Sequence, residues 1–167
     1  MFVFGLPRSR TAWLSVFLSQ SGIKFHHEAL DGCRTIKEYS NKIKGCGDCT
    51  TGFYLLENSD ILKGKKAVII TKDEDEIERC ISWCDKEYGI DSAELISAWN
   101  DRLIQIDGLK IKQSEIDENL EKIWRYLTGK PWNGVYTDIV KMNIQVKSTN
   151  IDFEAAKALY ESIQQDL

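Results

Sequence analysis

Apolar and polar positions along this chain fall into blocks that read as strand, loop and helix in alternation. Met1 to Phe4 is a short apolar run holding Val3 and two phenylalanines and closing at Gly5. A buried parallel strand has this pattern, because both of its faces are covered. Gly5-Leu6-Pro7-Arg8-Ser9-Arg10 is punctuated as a loop. From Thr11, the apolar residues Trp13, Leu14, Phe17 and Leu18 recur at helical spacing, and Gly22 stands where a C-cap glycine stops a helix. Lys24 to Leu30 reads as a second strand, and Arg34 to Ile43 as a surface helix. Lys44 to Gly52, interrupted by glycines, predicts irregular chain.

Phe53 to Leu62 fits a helix or a strand equally well. Lys65 to Thr71 is the clearest buried strand, and the carboxylates at 73–76 behind it suit the first turn of a helix. That helix is expected to reach Tyr88 and stop at Gly89. Asp91-Ser92 predicts the cap of another, with Leu95, Ile96, Trp99, Leu103 and Ile104 on one face. Leu109 to Lys112 is a short strand. A helix from Ser114 carries Ile116, Leu120, Ile123, Trp124 and Leu127 and ends at Gly129-Lys130-Pro131. Further helices are expected near Tyr136 and from Asp152. The alternation predicts an α/β fold in one domain, 1–167: three layers, a parallel sheet with helices on both faces. Its ligand belongs at the carboxyl ends of the strands.

Composition narrows the class. The 167 residues are 43% hydrophobic and 29% charged, as in globular proteins, and mean hydropathy is -0.34. No apolar run approaches the ~18 residues of a membrane span, and the first residues lack the basic-then-apolar order of a signal peptide. A cytoplasmic protein without a membrane partner is expected, as a monomer or small homo-oligomer. Residues 1–70 carry ten Lys/Arg against six Asp/Glu, while residues 71–167 carry twelve against twenty. The basic part attracts an anionic ligand, and the acidic part argues against nonspecific nucleic-acid binding.

Five cysteines, an odd number, predict reduced thiols. Cys46-Gly47-Asp48-Cys49 has C-x-x-C spacing, which with His26 or His27 raises zinc as an alternative. No metal is expected, and Cys80 and Cys84, four apart on a helix, read as small buried hydrophobes. Trp99, Trp124 and Trp132 read as core or cleft wall.

The loop carries the chemistry. A phosphate behind the first strand would meet backbone N–H groups, the positive end of a helix dipole and two guanidinium groups. Ser9 and Thr11 add hydroxyls, and Arg8 presents a fork suited to phosphate or sulfate oxygens. The Walker pattern Gly-x-x-x-x-Gly-Lys-Ser/Thr is absent. Arg8 is expected to be the main charge, with Arg10 projecting to solvent.

Gly5-Leu6-Pro7-Arg8-Ser9-Arg10-Thr11-Ala12-Trp13-Leu14 resembles the sulfotransferase signature Pro-Lys/Arg-Ser-Gly-Thr-Thr-Trp, and is most similar to small bacteriophage-type sulfotransferase-like proteins. The resemblance extends to His26-His27-Glu28-Ala29-Leu30, to Gly47 through Gly52, to the strand ending at Lys72 and to Leu127 through Trp132. It implies a sulfotransferase-like fold of the P-loop nucleoside triphosphate hydrolase class. It also implies that Pro7, Arg8, Ser9, Arg10, Thr11 and Ala12 bind the 5′-phosphosulfate of 3′-phosphoadenosine-5′-phosphosulfate, and that Trp13, at the signature Trp, either contacts the adenine or packs. The family's 3′-phosphate site uses an Arg and a Ser, and those positions hold Lys72 and Cys80 here. Lysine still meets a phosphate as a point charge, whereas a thiol is a poor partner.

A sulfuryl transfer needs a base for the acceptor's proton. His26, His27, Glu28 and Asp31 cluster at the end of the second strand, with His27 and Glu28 the first choices alongside Arg8 as catalytic residues. The expected activity is transfer of a sulfuryl group to a small-molecule hydroxyl or amine acceptor. An ATP/Mg-dependent small kinase and a non-catalytic nucleotide-binding module are the alternatives on the same fold.

Overall fold

The computed structural model describes residues 1–56, 59–132 and 153–165. Among these residues five strands form one all-parallel sheet: β1 (Phe2–Gly5), β2 (Phe25–His27), β3 (Gly47–Thr50), β4 (Ala67–Thr71) and β5 (Leu109–Lys112), in the order β2-β3-β1-β4-β5. In register, Val3 sits between Cys49 and Val68. The helices are α1 (Thr11–Ser19), α2 (Ile36–Lys42), α3 (Glu74–Tyr88), α4 (Ala93–Leu103), α5 (Leu120–Thr128) and α6 (Phe153–Gln165).

Strand periodicity divides the core into two layers. Phe2, Phe4, Ala67 and Ile69 face Tyr39 of α2, Cys80 and Cys84 of α3, Ile96 and Leu103 of α4, and Leu159 of α6. Val3, Cys49, Val68 and Ile70 face the other way, onto Trp13, Leu14, Phe17 and Leu18 of α1 and Ile123, Trp124 and Leu127 of α5. Helices therefore cover both faces. The strand order is neither the flavodoxin-like 2-1-3-4-5 nor the dinucleotide-binding 3-2-1-4-5-6. At neighbouring β1 and β4 the chain departs to opposite faces, α1 on one and α3 on the other. A crevice opens at the carboxyl ends of such a pair.

The stretch read as irregular between Lys44 and Gly52 contains β3, a fully buried strand inside the sheet. Its composition hides it, because a strand flanked on both sides needs no alternation and Gly47 is imposed by packing. A Cβ there would meet the Phe25 ring at 2.2 Å. β2 is shorter than the run Lys24 to Leu30, for Glu28 turns to φ 51 and breaks the ladder. The described residues of Phe53 to Leu62 form neither one helix nor one strand. The stretch holds two single 3₁₀ turns, Gly52–Leu55 and Asp60–Leu62. Residues 113–119 are likewise 3₁₀ turns before α5 begins.

On α4, Ile96 and Leu103 are buried, but Leu95 and Ile104 are 42% and 37% exposed and lie off that face. Ser92 precedes α4 without capping it. Its hydroxyl donates to the Asp85 carboxylate at 2.7 Å instead. The helix expected near Tyr136 lies outside the described residues. Among the described residues no helix is long and apolar enough to cross a membrane.

Candidate functional site

The loop from Gly5 to Arg10 rises from the carboxyl end of the central strand and enters α1. Arg8 (φ 65) and Arg10 (φ 59) both adopt the left-handed backbone region, which costs a non-glycine residue roughly 1–2 kcal/mol. Strain of this kind persists where surrounding contacts over-determine the chain, and it concentrates at binding sites. The contacts are visible. Cys80 Sγ donates to Pro7 O at 3.3 Å, and Lys72 Nζ donates to Arg8 O at 3.3 Å and to Gln113 Oε1. Lys72 and Cys80 thus brace the loop from β4 and α3. Gly5 is required beneath it, since a Cβ there would stand 2.6 Å from Ser9 Cβ.

Ser9 is completely buried, and its hydroxyl has no hydrogen-bond partner among the described residues. A buried hydroxyl with unspent capacity is uncommon in folded proteins, and a bound oxyanion is one group that satisfies it. Arg10 occupies the N-cap of α1 and supplies no side-chain cap, so the helix's first N–H groups keep their positive end toward the loop. Burial lowers the Lys72 pKa below the usual lysine range. The neighbouring thiol of Cys80 is lowered chiefly by its hydrogen bond with Cys84, with the charge of Lys72 adding to this.

The two arginines differ from expectation in one respect. Arg10 does not project freely to solvent: it pairs with Asp117 at 2.9 Å, and its guanidinium lies 4.4 Å from the Trp13 ring centroid. Arg8 is the exposed one, with its guanidinium 5.6 Å from the centroid of Trp83. Trp13 itself is buried and stacks on Phe17, so it packs beneath the loop. Ala12 supplies a carbonyl to Ser15 Oγ inside α1.

Across from the loop, at the ends of β2 and β3, lies a second group of polar residues. His27 Nε2 stands 3.3 Å from Thr11 Oγ1 and 3.7 Å from Glu28 Oε1. The Glu28 carboxylate accepts from Thr50 Oγ1 at 2.6 Å and from Thr51 N at 2.9 Å. Burial pushes the Glu28 pKa up to about 7, despite these hydrogen bonds. Burial also lowers His27 below the usual histidine range, which keeps the imidazole neutral at neutral pH. His26, one residue back, points to the other face by strand periodicity, where Lys24 and Lys42 are its charged neighbours. Asp31 lies on the exposed turn beyond Glu28, and its carbonyl accepts from Lys42 Nζ at 2.8 Å.

The structure therefore joins Arg8, Ser9, Arg10, Thr11, His27, Glu28 and Lys72 around one end of the sheet and leaves His26 outside. Sequence reasoning missed Thr50, Thr51, Trp83, Gln113 and Asp117. Nothing in their spacing marks them: Thr50 and Thr51 lie in a stretch read as irregular, Trp83 and Asp117 in stretches read as plain helix, and Gln113 between a strand and a helix. Cys49 is locked in the sheet core, whereas Cys46 is partly exposed before β3. Among the described residues no three His, Cys, Asp or Glu side chains gather as a metal site. No protein-family model, curated protein or solved structure matches the chain.

Proposed function

We propose that this chain is a sulfotransferase-like group transferase, which holds the phosphosulfate end of a sulfonucleotide in the β1–α1 loop. One observation carries the reading. A strained cationic loop with an unsatisfied buried hydroxyl is linked through Thr11 and His27 to Glu28, a carboxyl poised near neutrality. The donor would supply an activated sulfuryl group. Arg8, Ser9, the first N–H groups of α1 and the charge of Lys72 would bind and orient its oxygens. Glu28 would take the proton from the acceptor hydroxyl or amine as the new bond to sulfur forms, while the bond from sulfur to the donor's bridging phosphate oxygen breaks and its electron pair leaves with adenosine 3′,5′-bisphosphate. A group whose pKa lies near the working pH suits that task. His27, neutral and between Thr11 and Glu28, would fix the relative position of the loop and the base.

The donor's 3′-phosphate draws less support, for Lys72 and Cys80 are engaged with the loop itself. A thermal-shift comparison tests the reading. Adenosine 3′,5′-bisphosphate is expected to raise the melting temperature more than ATP with Mg²⁺, since ligands stabilise the state they bind. A larger shift with ATP and Mg²⁺ would move the assignment to a small kinase. No shift with either would remove the nucleotide from the loop.

A further inference from the structure

We infer that Asp48 is a positioning residue for Glu28, holding the turn that presents the Glu28 carboxyl to the site. This rests on the reading of Glu28 as the proton acceptor, but it concerns a residue that reading does not use.

Glu28 has φ 51, a conformation that a glutamate does not adopt without being held. Four consecutive residues of one chain segment hold it. Glu28 N–H donates to Cys49 O at 3.1 Å, Thr50 Oγ1 and Thr51 N–H donate to its carboxylate, and Asp48 takes the next peptide. Asp48 Oδ1 accepts the Ala29 N–H at 3.1 Å, and Oδ2 accepts the Tyr39 hydroxyl at 2.7 Å. Both Asp48 and Tyr39 are fully buried.

A carboxylate placed in the sheet core is costly unless its oxygens are satisfied, so its presence needs a reason. The backbone ladder of β3 does not supply one, for Asp48 N–H pairs with Met1 O whatever the side chain is. What the side chain itself holds is the Ala29 peptide, directly after the strained residue, with α2 anchored behind it through Tyr39. Without Asp48 the Ala29 N–H and the Tyr39 hydroxyl both lose their acceptor. The turn can then relax toward a right-handed conformation, and the Glu28 carboxyl can swing toward water.

The test follows the Glu28 side-chain carboxyl by carbon-13 NMR titration of the full chain, its signal assigned by loss in Glu28→Gln. In Asp48→Ala the Glu28 midpoint is expected to fall by about two pH units toward the ordinary glutamate range. In Asp48→Asn it is expected to stay well above that range, because an amide still accepts the Ala29 N–H and can donate to Tyr39 Oη. Loss of stability alone would lower the melting temperature and leave the midpoint in place. Tyr39→Phe, which removes one of the two contacts, covers the case in which Asp48→Ala fails to fold. Its Glu28 midpoint is expected to fall part of the way. An unchanged midpoint in Asp48→Ala, or in Tyr39→Phe where only that variant folds, would overturn the inference. So would equal falls in Asp48→Ala and Asp48→Asn. If the Glu28 midpoint moves as expected but Glu28→Gln transfers a sulfuryl group as well as the wild type does, Asp48 still positions Glu28 and only the role of Glu28 is wrong.

Discussion

Thr11 Oγ1 and His27 Nε2 stand 3.3 Å apart, joining the first residue of α1 to the last residue of β2 across the open end of the sheet. β1, from which the loop leaves, and β2 are consecutive strands in the chain but not neighbours in the sheet, where β3 comes between them. α1 crosses from the end of β1 to pack against β2, and through this contact the β1–α1 loop and the carboxyl at Glu28 share one frame.

Stability should respond to pH through Glu28. Its folded pKa is raised from 4.5 to about 7, so its contribution is full at pH below 4.5 and is lost as pH rises through 7. Asp48, raised to about 6 by burial, acts with the same sign, whereas the lowered His26 and His27 act with the opposite one. Glu28→Gln isolates the contribution of Glu28. Relative to the wild type, the variant should gain up to about 3 kcal/mol in urea unfolding between roughly pH 4 and pH 8. A constant difference across that range would mean that Glu28 titrates normally.

Arg8 and Arg10 should separate cleanly. Arg8→Ala is expected to weaken binding of adenosine 3′,5′-bisphosphate by about 2–4 kcal/mol, the scale of a lost charge-assisted contact. Arg10 shares its charge with Asp117, and the two side chains are 30% and 55% exposed. Arg10→Ala should therefore cost under about 1 kcal/mol of binding, and Asp117→Asn should improve binding by a similar amount. Calorimetry at two salt concentrations measures all three. Equal small losses for both arginines, vanishing at high salt, would reduce the loop to a diffuse basic patch.

Gly5→Ala should damage the loop before the fold. The new methyl would stand 2.6 Å from Ser9 Cβ, so Ser9 must move, at a cost on the order of 1–3 kcal/mol. Binding of the bisphosphate should fall further than the melting temperature suggests. Full binding in a destabilised variant would show that Ser9 does not touch the ligand.

Thiol chemistry should distinguish one cysteine from four. Cys33, Cys49, Cys80 and Cys84 are buried, and only Cys46 is partly exposed. Native protein should react rapidly once with a disulfide reagent and five times after denaturation. Rapid reaction of a second thiol, mapped to Cys80, would mean that the contact with Pro7 O opens readily.

Elements whose patterns follow from burial were legible in the sequence: the apolar runs of β1 and β4, the stripe of α1 and the carboxylate-rich start of α3. At α3 the Asp73 and Glu76 side chains form a reciprocal cap. β3 escaped because its residues are chosen by close approach and by polar duty: Gly47 under Phe25, Asp48 on Ala29, Thr50 on Glu28. None of those constraints has a period. The loop and Glu28 could be singled out by residue type and position, whereas the Arg10–Asp117 pair could not, since it joins residues 107 positions apart. Pairing of that kind is decided by topology and not by neighbours in sequence.

The centre of this sheet is also its earliest strand, and that sets the schedule of synthesis. β1 leaves the ribosome about 65 residues before β4, one of the two strands that flank it. At ordinary elongation rates its Phe-Val-Phe run waits roughly 3–13 s for that partner. Until β3 follows, both edges of this apolar strand are open, and the edge that receives β4 stays a template for wrong pairing for the whole interval. Nascent chains that stop before residue 67 should be the ones that chaperones hold longest.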